Sequence, residues 1–175
     1  GFAARGIGLA GKRTVLIGAG GAARAALWGL LRSGVSSVCI GVRNLAKGKA
    51  LCTDFAADGT LAVYCFDDPH FRDVLCTADI VVQTTPIGMS PQTDAMPPVD
   101  PAAISPSAAV YDLIYPPAET AFLRAAAAHG CTTINGETML VMQGAEAFSL
   151  WTGVRPDTDL MQRVLREELA RREGA

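Results

Sequence analysis

A glycine-rich turn, placed directly between a predicted strand and a predicted helix, constrains the fold of this chain more than any other feature. The β-branched and apolar run Thr14–Ile17 leads into Gly18–Gly21, and an alanine-rich helix follows to about Arg32. The segment Gly18–Ala23 matches the pattern G-x-G-x-x-G/A, which in this context is typical of dinucleotide-binding domains. The alternative is a glycine-rich turn that serves packing alone.

The three defined positions of that pattern have separate physical roles. Gly18 permits the tight turn, Gly20 lets the backbone approach a pyrophosphate, and Ala23 keeps the helix close to the sheet. The N-terminus of the following helix offers unpaired N–H groups and the positive end of its dipole to the anion. The turn therefore predicts a phosphate-binding site.

Short β-branched runs alternate with helical segments along the rest of the chain, which is typical of βαβ units and a parallel sheet. The predicted strands are Thr14–Ile17, Val38–Val42, Leu61–Phe66, Asp79–Gln83, Ala109–Asp112 and Cys131–Ile134. The predicted helices after the first are Leu45–Ala57, Pro69–Leu75, Thr120–His129, Glu137–Thr152 and one capped near Asp157 or Thr158. We predict a Rossmann-like, doubly wound α/β fold: six parallel strands, helices on both faces and a C-terminal helical appendage.

Composition narrows the class of ligand. The chain has 175 residues, enough for one domain with an appendage, and its 15 Lys and Arg nearly balance its 17 Asp and Glu. That balance, without runs of like charge, indicates neither nucleic acid nor an anionic membrane as a partner. The apolar runs are too short for a membrane span, and the five scattered cysteines form no C-x-x-C pair. We expect a cytoplasmic protein, monomeric or homodimeric, with a small-molecule ligand and no metal site.

The end of the second strand distinguishes the two nicotinamide cofactors. An acidic residue there would bind the adenosine ribose of NAD, whereas an arginine would accept the 2′-phosphate of NADP. The chain reads Val42-Arg43-Asn44-Leu45-Ala46-Lys47, with no acid in that stretch. Arg43 can pair with a phosphate and Lys47 can add charge one helical turn later, which predicts NADP(H). The alternative is a solvated basic start of a helix.

Two further segments follow strands at the same predicted edge of the sheet. After the fourth strand, Thr84, Thr85 and Pro86 open a long loop to about Ser107, and a loop of that length favours a functional segment. Within the helix after the sixth strand, Met139 and Gln143 lie one turn apart and share a face. An amide on an apolar face either has a structural partner or faces a ligand, and the spacing alone leaves both open.

Five motifs, in order along almost the whole chain, together resemble the shikimate dehydrogenase family. They are GAGGAARA after the first strand, an arginine after the second, TTPIGM after the fourth, D-x-x-Y-x-P after the fifth, and G-x-x-M-L-V-x-Q-x-x-x-A-F-x-x-W-T-G near the end. The last motif, Gly136–Gly153, is the most specific. The resemblance implies reversible hydride transfer between NADPH and 3-dehydroshikimate, giving shikimate, in aromatic amino-acid biosynthesis.

The resemblance also implies roles for individual residues. Those expected at the cofactor are Gly20, Gly21 and Ala22 at the pyrophosphate, Arg43, Asn44 and Lys47 around the adenosine 2′-phosphate, and Thr85, Leu113, Gly136 and Met139 beside the nicotinamide. Those expected at the substrate are Tyr115 and Gln143. Three departures from the family pattern are Val42 in place of an asparagine, Gln83-Thr84 in place of Asn-Ala, and Leu113 where methionine is frequent.

The family also has an N-terminal substrate domain whose Lys and Asp transfer the proton, and the chain shows none of its motifs. Gly1-Phe2 fits the end of a helix that precedes the first strand, and His70 and His129 fall at helix ends, where solvated or capping roles are expected. We therefore expect no catalytic residue in this chain, which would bind cofactor and be nearly inert alone. Residues 1–153 would form the NADP domain, and 154–175 a helix toward the substrate domain.

Two alternatives remain open at this point. One keeps the fold and changes the substrate to quinate or an amino-substituted shikimate, with NAD or NADP as cofactor. The other is a non-catalytic, NADP-sensing module.

The last helix carries the apolar face expected of a helix that covers a neighbouring surface. It also places Glu167 and Glu168 four residues before Arg171 and Arg172, spacings that favour ion pairs.

Overall fold

The computed structural model describes residues 1–173, with the side chains of residues 1–171, and it contains a six-stranded parallel sheet. The strands are β1 (Arg13–Ile17), β2 (Ser37–Val42), β3 (Leu61–Cys65), β4 (Ile80–Gln83), β5 (Ala109–Asp112) and β6 (Thr132–Ile134). Their order across the sheet is β3-β2-β1-β4-β5-β6. This order, with every neighbouring pair parallel, confirms the predicted Rossmann-like fold.

Six α-helices connect or follow these strands. They are α1 (Gly21–Arg32), α2 (Leu45–Asp54), α3 (Pro69–Thr77), α4 (Ala121–Ala128), α5 (Glu137–Thr152) and α6 (Thr158–Glu173). Side chains at the N-caps of α2, α3 and α4 accept hydrogen bonds from the first turns of those helices. Such caps satisfy backbone N–H groups that have no partner inside the helix.

Helices cover both faces of the sheet, so the core has two halves. On one face, Leu27 of α1 and Leu51 of α2 pack against the strands. On the other face, Phe71 of α3 and Phe122 of α4 do the same. Burial on both faces explains why the central strands consist almost entirely of apolar residues rather than alternating apolar and polar ones.

The strand order reverses between β1 and β4, and this position sets the location of the site. Ile17, the last residue of β1, pairs in register with Gln83, the last residue of β4. The loops that follow these two strands leave the same edge of the sheet in opposite directions, which opens a crevice there. Ligands of doubly wound folds bind at such a point.

The predicted ends of two helices were wrong. The helix expected to run to about Ala57 ends at Asp54, and the backbone N–H groups of Phe55 and Ala56 donate to carbonyls three residues earlier, as in a tight turn. The helix expected to end at Leu75 continues to Thr77. In addition, the helix expected around Gly1-Phe2 is a short 3-10 helix, Ala3–Arg5, ended by Gly6 at φ +67°. None of these differences changes the order of the strands.

The last helix, α6, packs against α5. Leu169 of α6 is buried, whereas Leu160 and Val164 remain 44% and 52% exposed. The predicted pairing of Arg171 with Glu167 is wrong, because the Arg171 guanidinium donates to Glu168 at 2.8 Å through both Nε and Nη2. The side chain of Arg172 lies outside the described residues. Across residues 1–173, no helix is both long enough and apolar enough to cross a membrane.

Candidate functional site

The N-terminus of α1 lies at the crevice and is open to a ligand. Gly20 is its N-cap residue, and no side chain in the described part of the chain caps it. No acidic residue lies in the first turn, and a Cβ built on Gly20 or Gly21 would meet nothing within 4 Å. The N–H groups of this turn are therefore free to bind an anion, as the sequence predicted.

Gly18 is required by the geometry of the turn. Its φ of +110° is rarely adopted by residues with a side chain, and a Cβ there would lie 2.8 Å from the Thr84 hydroxyl oxygen and 2.9 Å from the Thr85 methyl carbon. The Thr84 hydroxyl donates to the Ile17 carbonyl at 2.6 Å. The turn after β1 and the loop after β4 are thus packed directly against each other. Ala23 is fully buried beneath them, consistent with its predicted packing role.

A cavity of about 210 Å³ lies beside the turn and is mostly lined by residues that the sequence had singled out. Its lining consists of Gly18, Ala19, Gly20, Val42, Arg43, Asn44, Lys47, Phe66, Thr85 and Ile87. Arg43 and Lys47 are exposed, and neither has an acidic partner among the described residues. Asn44 caps α2, accepting a hydrogen bond from the backbone N–H of Lys47 at 3.1 Å. Two unpaired cations and a helix N-terminus therefore face one small cavity.

Two apolar residues of this cavity, Phe66 and Ile87, were not predicted from the sequence. Phe66 follows β3, and its backbone N–H donates to the Val42 carbonyl at 3.2 Å. Its ring packs edge-on against Phe71, with the ring centroids 5.7 Å apart. The position of Phe66 could have been predicted, because the residue after β3 reaches the same edge of the sheet as Arg43 after β2.

Gln83 holds the loop that contributes Thr85 and Ile87. The side chain is fully buried at the end of β4. Its amide oxygen accepts from the Thr85 N–H, and its amide nitrogen donates to the carbonyls of Thr85 at 3.0 Å and Ile87 at 3.2 Å. A buried amide with all these bonds made fixes the backbone at the cavity. No role had been predicted for Gln83 from the sequence.

A second and larger cavity, of about 690 Å³, is lined partly by α1 and α5. The predicted site residues that line it are Ala22, Leu113, Met139 and Gln143. The Gln143 side chain is exposed, and its amide forms no hydrogen bond within residues 1–173. Gln143 therefore lines the larger cavity without a structural hydrogen-bond partner among the described residues.

The start of α5 is packed tightly against the segment after β5. A Cβ on Gly136 would lie 2.2 Å from the Leu113 carbonyl oxygen, so only glycine fits there without displacement. The Gly136 N–H also donates to the Ile114 carbonyl at 3.0 Å. Gly136 thereby brings the helix that carries Met139 next to Leu113, although its own atoms are not part of the cavity lining.

Asp112, at the end of β5, is a fully buried carboxylate. It accepts hydrogen bonds from the Ile114 N–H at 3.0 Å and from the Thr120 hydroxyl at 2.8 Å. Burial raises the pKa of Asp112 to about 6, and these two hydrogen bonds oppose the shift. Through these two bonds the carboxylate holds together the segment between β5 and α4, which contains Leu113 and Tyr115.

Several predicted site residues line neither cavity: Gly21, Thr84, Pro86, Tyr115 and Gly136. Thr84 and Gly136 have the packing contacts described above. Tyr115 is half-buried in the segment after β5. The histidines lie at helix ends, as predicted: His70 is exposed in the first turn of α3 and contacts Asp68, and His129 ends α4. Neither lines either cavity.

Comparison with known proteins agrees with this architecture. The family model described as Shikimate / quinate 5-dehydrogenase matches residues 2–90, just over half of the chain, and the model described as Shikimate 5'-dehydrogenase C-terminal domain matches residues 136–166. Shikimate dehydrogenase (NADP(+)) of Desulforamulus reducens is 40% identical over 163 residues, which are 92% of this chain and 56% of that protein. The chain thus spans little more than half the length of this relative.

Two solved structures are similar over nearly the whole chain. Shikimate 5-dehydrogenase from Listeria monocytogenes, in complex with shikimate and NAD, superposes with a TM-score of 0.86 at 27% identity, over 94% of this chain and 59% of that one. Shikimate 5-dehydrogenase from Thermus thermophilus, in complex with NADP(H) and shikimate, gives 0.80 at 34% identity, over 95% and 58%. The matched sequence models, the relatives and the shared fold show that this chain belongs to the shikimate/quinate 5-dehydrogenase family.

Proposed function

We propose that this chain is the cofactor-binding part of an NADP-dependent shikimate dehydrogenase, which transfers a hydride reversibly between NADPH and 3-dehydroshikimate to give shikimate. The observation that carries the proposal is the pair of unpaired cations, Arg43 and Lys47, in the cavity beside the open N-terminus of α1. The Desulforamulus relative is named as an NADP(+) enzyme, and the Thermus structure contains NADP(H). Both support the same assignment.

The chain binds the two charged parts of the cofactor at different places. Free N–H groups of Gly21 and Ala22 hold the pyrophosphate, because the positive end of the helix dipole favours an anion there. The Arg43 guanidinium pairs with the adenosine 2′-phosphate, and Lys47 adds a second positive charge. Asn44 keeps its amide N–H₂ available while its oxygen caps α2.

Family membership does not by itself decide between NADP and NAD, since the Listeria relative was solved with NAD. The residues of this chain favour NADP. The lining of the smaller cavity contains no acidic residue that could accept a hydrogen bond from an adenosine ribose 2′-hydroxyl. It contains two cations that a 2′-phosphate would neutralise.

In this proposal the nicotinamide lies against Leu113 and Met139 of the larger cavity. Thr85, at the edge of the smaller cavity, and Gly136, beside Leu113, also flank the ring. Gln143 of the larger cavity and the nearby Tyr115 contact the substrate. Once bound, the nicotinamide supplies the hydride chemistry. The residues of this chain orient the ring, exclude water through the apolar lining of Leu113 and Met139, and present the Gln143 amide to a hydroxylated carboxylate.

Reduction of a ketone also needs a proton at the developing alkoxide oxygen. The lining of the larger cavity includes neither lysine nor histidine, and its acid, Glu146, lies 3.8 Å from Arg155 as an ion pair. We therefore propose that the proton donor comes from outside this chain. The chain alone should bind cofactor without oxidising shikimate.

Calorimetric titration of this chain with NADPH and, separately, with NADH tests the proposal. Tighter binding of NADPH is expected, and adding shikimate with NADP⁺ should produce no absorbance of reduced cofactor. Tighter binding of NADH would overturn the 2′-phosphate assignment. Turnover by the chain alone would overturn the claim about the proton donor.

A further inference from the structure

A series of polar contacts connects the last helix, α6, to the segment after β5. Arg166, on α6, contacts Glu137 in the first turn of α5, with its Nε donating to the Glu137 Oε2 at 3.1 Å. The two residues are 29 positions apart in sequence. One turn earlier on α6, the Gln162 amide donates to the Thr138 hydroxyl at 3.3 Å. These contacts fix α6 to the start of α5.

Glu137 depends on this contact because its side chain is only 10% exposed. A carboxylate removed from water needs a charged or hydrogen-bonding partner for each oxygen. Oε2 has Arg166, and Oε1 accepts from the Asn135 amide at 2.9 Å. Arg166 is therefore the single ion-pair partner of Glu137 within the described residues.

Asn135 connects Glu137 to the segment after β5. Its amide nitrogen donates both to Glu137 Oε1 and to the Ala118 carbonyl, at 2.9 Å each. Its amide oxygen accepts from the Glu137 N–H at 3.3 Å. The side chain thus has a defined orientation that Glu137 sets, and in that orientation it holds the backbone at Ala118.

The segment held in this way, residues 113–118, carries Leu113 and Tyr115. Asp112 also holds this part of the chain, because it binds the Ile114 N–H and the Thr120 hydroxyl on either side of Tyr115. The Gly136 N–H donates to the Ile114 carbonyl as well. Asn135 adds a side-chain contact at Ala118, so loss of that contact would remove one of the hydrogen bonds that hold the segment near Tyr115.

We propose that Arg166 is a positioning residue that acts through Glu137 and Asn135 to hold residues 113–118 in place for the substrate and nicotinamide. The functional half of this statement rests on the proposed function. The structural half concerns the chain alone.

Hydrogen exchange of the unliganded chain tests the structural half. Arg166→Met should increase the exchange rate of the amides within residues 113–119 by roughly three- to tenfold, because the segment opens locally more often. Arg171→Met is the matched control: it removes an ion pair on the same helix, but Arg171 contacts Glu168 and has no contact with α5 among the described ion pairs and hydrogen bonds. Equal exchange in the two variants within 113–119 would overturn the proposal.

A double-mutant cycle tests the route. Arg166→Met and Glu137→Gln should each speed exchange at 113–119, and the double variant should be little faster than either one, because both interrupt one path. Arg166→Lys, which keeps the positive charge, should recover part of the protection. Fully additive effects would show that Arg166 acts on the segment by another route.

Kinetics of the full-length protein test the functional half. Arg166→Met should raise KM for shikimate by roughly three- to tenfold while the Kd of NADPH changes less than twofold, since the smaller cavity, where the charged groups of NADPH are proposed to bind, is lined by no residue of α6. An unchanged KM despite faster exchange would overturn the functional half alone. Absence of any shikimate oxidation by the wild-type protein would instead count against the proposed function, and the exchange results would stand.

Discussion

The buried carboxylate of Asp112 accepts a hydrogen bond from the buried hydroxyl of Thr120 at 2.8 Å, and this pair joins the end of β5 to the start of α4. The Thr120 oxygen in turn accepts from the Leu123 N–H at 3.2 Å, which caps α4. The hydroxyl is thus donor to one group and acceptor from another. Both partners of the pair have consequences that can be measured.

Asp112→Asn should remove the contribution of Asp112 to the dependence of stability on pH. Burial raises the pKa of Asp112 from 3.8 to about 6, so between these values the folded protein keeps a proton that the unfolded chain releases. The free energy of unfolding of the wild type should therefore fall as pH rises from about 4 to about 6, by about 3 kcal/mol from this group. Urea denaturation at several pH values measures it.

The comparison must use the difference between wild type and Asp112→Asn. Other carboxylates, such as Asp79 beside Arg13, have lowered pKa values and contribute stability that is lost as pH falls. Those contributions are common to both proteins and cancel. Parallel stability curves for the two proteins would contradict the burial of an ionised Asp112.

Thr120→Val should destabilise the chain by about 2 kcal/mol, because it removes the cap of α4 and a hydrogen bond to a buried carboxylate while keeping the side-chain shape. Thr120→Ser keeps the hydroxyl and should lose well under half as much. Denaturant titration of the three proteins gives both values. A loss for Ser as large as that for Val would show that the methyl group contributes as much as the hydroxyl, against this prediction.

Arg43→Ala should weaken NADPH binding by roughly ten- to a hundredfold, the range expected for losing a charge-assisted hydrogen bond to phosphate. NADH, which has no 2′-phosphate, should lose less than threefold. Arg163→Ala, an arginine of α6 outside the lining of both cavities, is the control. Calorimetry gives the Kd values, and equal losses for both cofactors would rule out a contact with the 2′-phosphate.

Gly136→Ala should destabilise the chain by about 3 kcal/mol, since its Cβ would lie 2.2 Å from the Leu113 carbonyl oxygen and the backbone must shift. Gly144→Ala, in the same helix, is the matched control. A Cβ there has ordinary contact with Met161 at 3.5 Å, so alanine should be neutral or stabilising by about 0.5 kcal/mol. Thermal unfolding of both variants distinguishes the two sites. A Gly136→Ala protein as stable as the wild type would refute the close approach.

The parts of the fold that depend on local sequence could be predicted. Alternating strands and helices gave the six-stranded parallel order, and the turn at Gly18 and the cation at Arg43 could be placed because each directly follows a strand. In a parallel sheet, residues that follow strands meet at one edge, so sequence position alone brings them together. The exact end of α2 could not be predicted, because it depends on a few weak turn contacts.

Contacts between distant parts of the chain could not be predicted. Nothing near Gln83 in the sequence shows that its amide would fold back on Thr85 and Ile87, or that Glu137 would meet Arg166 29 residues later. Such pairs are decided by how whole elements pack. The expected partner of Arg171 was wrong for a related reason: at a helix surface, residues three and four apart both lie within reach, and small differences decide between them.

The uncapped start of α1 links the ligand to the folding equilibrium. Gly20 has no side chain with which to satisfy the first N–H groups of the helix, so in the proposed function a bound pyrophosphate would serve as the missing cap. A ligand that binds only the folded chain adds free energy of unfolding in proportion to the logarithm of its concentration above Kd. Under that proposal, the resistance of this protein to unfolding would not be a fixed property of its sequence: it would rise and fall with the supply of cofactor around it.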